Sequence, residues 1–264
     1  MRPRITDWNE YQPDDHDVWR LLATRQRANL ETRAWTPFLD RLAPLGLPVE
    51  QVPRFSALDE RLLATTGWSI EVVDRIIPVD TFLALLSRRR FCASTWLRSR
   101  AQLDYLEEPD MFHDVFGHLP LLMDPTYADF VRRFGEMGTR LSGDRTALML
   151  LERLYWFTIE FGLIREAGAL RILGAGILSS FGETNHIYDH TVEIRPFSVE
   201  GVLYQPFRND EVQQLYFVVE HPDDLWGSLE RTEQIVAQAV RGDRPLAPFR
   251  LDEQVGSVPP AGQP

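Results

Sequence analysis

One carboxylate sits inside a stretch that otherwise has no charge. The run Leu154-Tyr155-Trp156-Phe157-Thr158-Ile159-Glu160-Phe161-Gly162-Leu163-Ile164 carries Glu160 as its only charged side chain. It is apolar around most of a helical circumference, so it reads as a buried helix, and Asp144 upstream is placed to cap it. A lone carboxylate buried in such a helix costs several kcal/mol unless a cation or an equivalent partner meets it. The chain must therefore fold so that something compensates Glu160. One segment able to do so is Pro109-Asp110-Met111-Phe112-His113-Asp114-Val115-Phe116-Gly117-His118, which holds two histidines. Two histidines and one distant carboxylate are the ligand set of non-haem Fe(II) oxygenases, which leave coordination positions open.

The histidine spacing is not the familiar one. On a regular helix, residues five apart lie about 140° apart, so His113 and His118 would not share a face as an i, i+4 pair does. Gly117 and Pro120 bracket the second histidine, and both residue types disturb or end helices. A helix ending there would swing His118 towards His113. The HExxH zinc signature is absent. Taken singly, two histidines at this spacing are ordinary structural residues, and a Glu in an apolar helix pairs with a buried Arg or His. Taken together, with no cysteine nearby, the three fit iron or zinc. The residues alone leave a metal enzyme and a structural pairing both open, and they name no substrate.

Composition narrows the partners. With 264 residues, the chain is long enough for one large domain; 44% hydrophobic and 25% charged residues describe an ordinary globular core and surface. The net charge of −11 argues against nucleic acid or an anionic membrane as partner. Cys92 is the sole cysteine, which allows no intrachain disulfide and fits a reducing cytoplasm. The first 17 residues lack the apolar core of a secretory signal. No uncharged apolar run approaches the ~18 residues that a membrane-spanning helix needs.

Helix signals dominate. Apolar spacing predicts a helix over residues 15–42, ending near Pro44 and Gly46. Ser56-Ala57-Leu58-Asp59 resembles a capping box at the start of another. Asp80 is expected to cap a helix through Leu86. Asp124-Pro125 is an N-cap followed by proline at the first helical position, with Tyr127, Phe130, Phe134 and Met137 as the apolar stripe beyond it. Ser180 with Glu183 reads as a further capping box, and residues 222–240 as the last helix. Strands are expected at 169–173, 191–197, 201–207 and 215–219, with a short one at 91–97. The sum is an α+β fold, mostly helical, with a small amount of β-structure. A single catalytic domain is expected over residues 1–250, and the Gly/Ser/Pro-rich residues 251–264 are expected to form a disordered tail.

Three blocks, in order, carry a resemblance. Glu108-Pro109-Asp110-Met111-Phe112-His113-Asp114-Val115-Phe116-Gly117-His118-Leu119-Pro120 resembles the metal-binding segment of the pterin-dependent aromatic amino acid hydroxylases. The Tyr155 to Leu163 stretch resembles their third-ligand helix. Gly174-Ala175-Gly176-Ile177-Leu178-Ser179-Ser180 resembles their substrate-pocket segment. The early stretch around Tyr11, Asp15-His16 and Trp19-Arg20-Leu21-Leu22 is similar to the single-domain bacterial phenylalanine hydroxylases, and the similarity runs from about residue 8 to about residue 225.

The resemblance implies the catalytic-domain fold of that family. It implies Fe(2+) held by His113, His118 and Glu160, with a tetrahydropterin as cosubstrate and O2 as oxidant. The reaction it implies is hydroxylation of L-phenylalanine to L-tyrosine. It further implies that Arg98 grips the substrate carboxylate, that Trp156, Phe161 and Ser179 lie at the substrate, and that Phe82, Val79, Asp114 and Tyr155 face the pterin. Read on its own, Arg98 within Arg98-Ser99-Arg100 is a surface arginine; Trp156, Phe161 and Phe82 are core aromatics. Four positions depart from the family pattern: Leu106, Leu173 before the Gly-Ala-Gly, Glu152 where a small residue is expected near the pterin, and Asn209. Trp156 favours a phenylalanine or tyrosine pocket over a tryptophan one. A chain of this length has no room for the regulatory N-terminal domain and tetramerising helix of the animal enzymes, so a monomer is expected. Hydroxylation of tyrosine or tryptophan, or of another ring position, is the alternative. Beyond the family stand a zinc hydrolase that uses Glu160 as base or ligand, and a helical binding module without chemistry.

Overall fold

The computed structural model describes residue 5 and residues 7–74, 76–104, 106, 108–188 and 192–242. The expected tail at 251–264 lies outside the described residues. Helices make up most of the chain, in keeping with the α+β expectation. They are α1 (Pro13–Leu30), α2 (Thr36–Leu45), α3 (Phe55–Thr66), α4 (Val79–Ser87), α5 (Leu119–Leu122), α6 (Pro125–Leu141), α7 (Arg145–Tyr155), α8 (Ala175–Leu178), α9 (Phe181–His186), α10 (Val199–Tyr204), α11 (Pro222–Trp226) and α12 (Ser228–Val240). The strands are β1 (Ser69–Val73), β2 (Arg90–Ser94), β3 (Leu163–Glu166), β4 (Ala169–Ile172), β5 (Glu193–Pro196) and β6 (Leu215–Val219).

β1 and β2 run parallel with α4 as their crossover. The second sheet has the order β4-β3-β6-β5, with β3 and β4 antiparallel and the other pairs parallel. One continuous apolar cluster underlies all of it, with Trp19, Trp68, Phe112, Phe116 and Phe130 among its fully buried members. The predicted stripe Tyr127, Phe130, Phe134 and Met137 is buried along α6, whose small residues Gly135 and Gly138 admit α4 at close range.

Several local expectations hold and several fail for identifiable reasons. Asp124 caps α6 through the N–H groups of Thr126 and Tyr127, and Asp144 caps α7 through that of Ala147. The helix expected over 15–42 is two helices. Trp35 precedes Thr36-Pro37, where the proline disfavours helical backbone, and Ala34 and Trp35 are drawn to Ile172 by a bridge and an N–H···O bond of 2.9 Å. The capping box expected at Ser56 does not form, because Asp59 accepts instead from the N–H of Ile70 at 2.6 Å and ties α3 to β1. Asp80 lies inside the first turn of α4, which Pro78 precedes. Ser180 caps α9, but Glu183 is recruited elsewhere. Residues 201–207, expected as a strand, begin within α10, which Ser198 caps through the N–H of Gly201 at 3.1 Å. Gly227 splits the last helix into α11 and α12. β1 and β3 were not foreseen; β3 falls in what reads as the end of the Glu160 helix.

That helix ends because of glycine. Gly162 packs its Cα where a Cβ would meet the carbonyl oxygen of Thr158 at 2.2 Å. At Gly174 a Cβ would stand 2.3 Å from the carbonyl oxygen of Glu160. This contact sets α8 directly under the carboxylate-bearing turn. Gly174→Ala is therefore expected to force these backbones apart at a cost of ~1–3 kcal/mol, read as a lower urea midpoint with an unchanged slope; an unshifted midpoint would mean that the approach is not obligatory.

Candidate metal centre

The two segments that carry the triad depart from the α-helix in the same way. His113–His118 and Trp156–Glu160 are both π-helical turns. A π-turn closes its hydrogen bonds from i to i+5, so residues five apart come onto one face. This is how His113 and His118 meet, and it replaces the expected helix end at Gly117: the backbone widens and then continues into α5. Pro120 has no N–H to offer the carbonyl of Phe116, so a regular ladder could not have run through this point. Gly117 lets the widened turn sit on α8, where a Cβ would meet the Ala175 carbonyl oxygen at 2.8 Å.

The donor atoms converge. His118 Nε2 lies 3.2 Å from His113 Nε2 and 3.0 Å from Glu160 Oε1, and His113 Nε2 lies 3.7 Å from Glu160 Oε2. Two donors each about 2.1 Å from one ion stand ~3.0 Å apart at a right angle, so these separations suit a shared cation. Among the described residues this is the one group of three such side chains within 4.8 Å.

Protonation states agree with that use. Burial pushes the His113 imidazole down to about 4, leaving it neutral at pH 7 despite the neighbouring Glu160. Burial would raise the Glu160 carboxyl, but the two imidazoles and hydrogen bonds from His118 and Tyr155 outweigh it and hold Glu160 at about 2. A neutral imidazole and an ionised carboxylate are the ligating forms. The tautomer is set as well. Ser179 Oγ donates to the Ala175 carbonyl at 2.8 Å, so it accepts from His113 Nδ1–H at 3.0 Å, and the Nε2 lone pair is free for the centre.

A cavity of about 620 Å³ opens over the triad, and every predicted site residue lines it: Arg98, Trp156, Phe161 and Ser179, and Val79, Phe82, Asp114 and Tyr155. Two sets of aromatic rings line it. Phe82 meets Tyr155 and Phe91 edge-on, at 5.3 and 6.3 Å between centroids. Trp156 stacks on Phe207 at 4.2 Å and leans on Phe161 at 4.5 Å. Asp114 is fixed by the N–H and hydroxyl of Ser94 at 2.8 and 3.0 Å, and burial pushes its carboxyl up to about 7 against those bonds.

Arg98 is not a surface residue. It is 5% exposed and paired bidentately with the fully buried Asp110, Nε to Oδ2 at 2.9 Å and Nη2 to Oδ1 at 2.8 Å. Asp110 also accepts from the His113 N–H at 3.1 Å, which ties the arginine to the metal segment. The role of Asp110 was missed, although a carboxylate three residues before His113 is the natural partner for a buried Arg98. Phe207 was missed because its segment read as a strand. Of the departures, Leu106, Glu152 and Asn209 line the cavity, whereas Leu173 is fully buried beside it.

Fold and site together define a mostly helical α+β fold with a two-histidine, one-carboxylate donor set at an aromatic cavity. The chain belongs to the family of biopterin-dependent aromatic amino acid hydroxylases, which matches residues 4–240. It is 44% identical over 230 residues to the phenylalanine-4-hydroxylase of Ralstonia nicotianae, covering 86% of this chain and 73% of that one. With the phenylalanine-4-hydroxylase of Vibrio cholerae it shares 39% over 250 residues, 94% of this chain and 85% of the relative. Among solved structures, the Chromobacterium violaceum phenylalanine hydroxylase with bound iron(III) and oxidised cofactor 7,8-dihydrobiopterin superposes with a TM-score of 0.84 at 36% identity, over 96% of this chain and 91% of that one.

Two substitutions separate the roles argued above. Ser179→Ala removes the acceptor for His113 Nδ1–H and should weaken Co(II) affinity by roughly 10–100-fold, measured by calorimetric titration. Asp110→Ala strands the buried guanidinium of Arg98 and should cost ~3–5 kcal/mol of stability, read by urea unfolding. Unchanged affinity in the first variant or unchanged stability in the second would contradict the assignment.

Proposed function

We propose that this protein is an iron- and tetrahydropterin-dependent monooxygenase that converts L-phenylalanine to L-tyrosine with O2, Fe(2+) being held by His113, His118 and Glu160. The observation that carries the reading is the convergence of these three donors, with His113 neutral and Glu160 ionised, at an aromatic cavity. The names of the bacterial relatives support the amino acid, and the iron and dihydrobiopterin of the Chromobacterium violaceum structure support the cofactors. When bound, iron and the reduced pterin supply the splitting of dioxygen, with one oxygen atom going to the substrate ring and the other to the pterin.

The residues of the chain provide placement. Asp110 engages Nε and Nη2 of Arg98, so the guanidinium is held rigidly while Nη1 stays outside that pair to receive a substrate carboxylate. Trp156, Phe161 and Phe207 form an apolar wall for the aromatic ring, and Ser179 borders the ring site as well as orienting His113. Phe82 and Val79 offer apolar contact to the pterin, Tyr155 holds Glu160 in place, and Asp114 presents a carboxyl that gains and loses a proton near neutral pH. Placing both organic partners against one centre is the entropic part of the catalysis.

The reading extends to one catalytic domain over residues 1–250 acting as a cytoplasmic monomer. The lone thiol, Cys92, supports a reducing compartment. No helix among the described residues is long and apolar enough to cross a membrane.

The test is turnover. With Fe(II), O2 and a reduced pterin, a competition among phenylalanine, tyrosine and tryptophan read by mass spectrometry should give tyrosine from phenylalanine as the main product. Glu160→Ala should lose both iron and turnover. A dominant product from tryptophan or tyrosine would reassign the substrate. Tightly held zinc with hydrolysis and no oxygen uptake would overturn the reading.

A further inference from the structure

The aromatic wall is held by Gln213, a cavity residue outside the three metal donors and the substrate and pterin contacts named above. Trp156 is half-buried, and its one polar atom, Nε1–H, donates to Gln213 Oε1 at 3.1 Å. Gln213 is 6% exposed, and both polar atoms of its side chain are engaged. Its Nε2 donates to the carbonyls of Arg208 at 2.7 Å and Glu211 at 3.0 Å, which closes the loop that carries Phe207. Its backbone N–H donates to Glu183 Oε1 at 3.0 Å. Glu183 Oε2 accepts from the hydroxyl of Tyr216, on β6, at 2.5 Å. The Glu183 N–H in turn donates to Ser180 Oγ at 3.2 Å, one residue beyond Ser179.

A chain of bonds thus runs from β6 through Glu183 and Gln213 to the indole. An indole is asymmetric, and stacking on Phe207 alone would tolerate either of two ring orientations related by a flip. Only one of them places Nε1–H on Gln213, and a buried indole N–H without a partner is penalised. The hydrogen bond therefore selects the orientation, and the orientation fixes the shape of the wall.

We propose that Gln213 is a positioning residue that sets the amino-acid preference of the cavity, by locking the indole of Trp156 through its Oε1 and closing the Phe207 loop with its Nε2. The proposal rests on the reading of Trp156 as the wall of the substrate-ring site. A merely structural glutamine would lower stability without redirecting the chemistry. A positioning one alters which ring is accepted and how well that ring is held.

The experiment is a double-variant cycle on the iron-loaded enzyme with Gln213→Met, Trp156→Phe and their combination. For each, kcat and KM are measured with phenylalanine and tryptophan, together with the fraction of oxidised pterin that yields hydroxylated amino acid. Gln213→Met should raise KM for phenylalanine about five- to tenfold, lower the productive fraction, and narrow the ratio of kcat/KM between the two substrates. Phenylalanine at position 156 has no N–H, so in the Trp156→Phe background Gln213→Met should change that ratio less than it does beside Trp156, the remaining change reporting the Phe207 loop that Nε2 closes. If the two changes instead multiply independently, or if Trp156→Phe shifts the preference while Gln213→Met does not, the role of Gln213 is refuted. If Trp156→Phe leaves the preference untouched, the assignment of Trp156 to the substrate wall fails, and the proposal with it. Should Gln213→Met not fold, the native protein decides: the Trp156 indole N–H must be protected from hydrogen exchange by NMR, and rapid exchange overturns the proposal.

Discussion

An ionised carboxylate in a protein interior is tolerated only where its charge is answered, and Glu160 is answered by two imidazoles and a tyrosine hydroxyl rather than by an arginine or lysine. The buried guanidinium of Arg98, which also lines the cavity, is committed to Asp110. His113 is neutral at pH 7 and turns its Nε2 towards the ionised carboxylate. A cation entering there would be met by an anionic oxygen and by imidazole nitrogen. Much of the fold serves to bring these three groups together: two widened helical turns, a glycine-lined approach of α8 beneath both, and a hydrogen-bonded serine that fixes a tautomer.

How much of this could be read in advance follows from the range of the interactions. Asp124 and Asp144 are legible as caps because a cap is decided within four residues. The buried Glu160 is legible because a charge in an apolar run stands out whatever the tertiary structure. The register between His113 and His118 is not, since a π-turn and a helix end both break the regular spacing, and only contact with α8 selects between them. The fate of Arg98 was obscured by its neighbours Ser99 and Arg100, which belong to the surface, whereas its own partner sits twelve residues away. Residues 201–207 alternate like a strand, yet Ser198 supplies a helix start that local capping wins. Gln213 lies in the polar stretch Asn209-Asp210-Glu211-Val212-Gln213-Gln214, where nothing local distinguishes a residue that makes four hydrogen bonds from one in solvent.

The rings that line the cavity fall into two contact sets. Phe82, Phe91 and Tyr155 make up one, and Trp156, Phe161 and Phe207 the other. Tyr155 and Trp156 are adjacent in sequence yet join different sets, and the π-turn starts at Trp156. One short segment thus supplies a ring to each set and, in Glu160, a donor to the centre. The same economy appears at Ser179 and Ser180: the first orients His113, and the second caps the helix whose Glu183 anchors Gln213.

The central claim, that His113, His118 and Glu160 hold one ion, is tested most directly by anomalous diffraction from crystals loaded with Fe(II) or Co(II). The account predicts a single strong peak within about 2.0–2.3 Å of Nε2 of both histidines and an oxygen of Glu160. A peak bound through Nδ1 of His113, a peak at another site, or no peak beside a fully occupied Glu160 would contradict it.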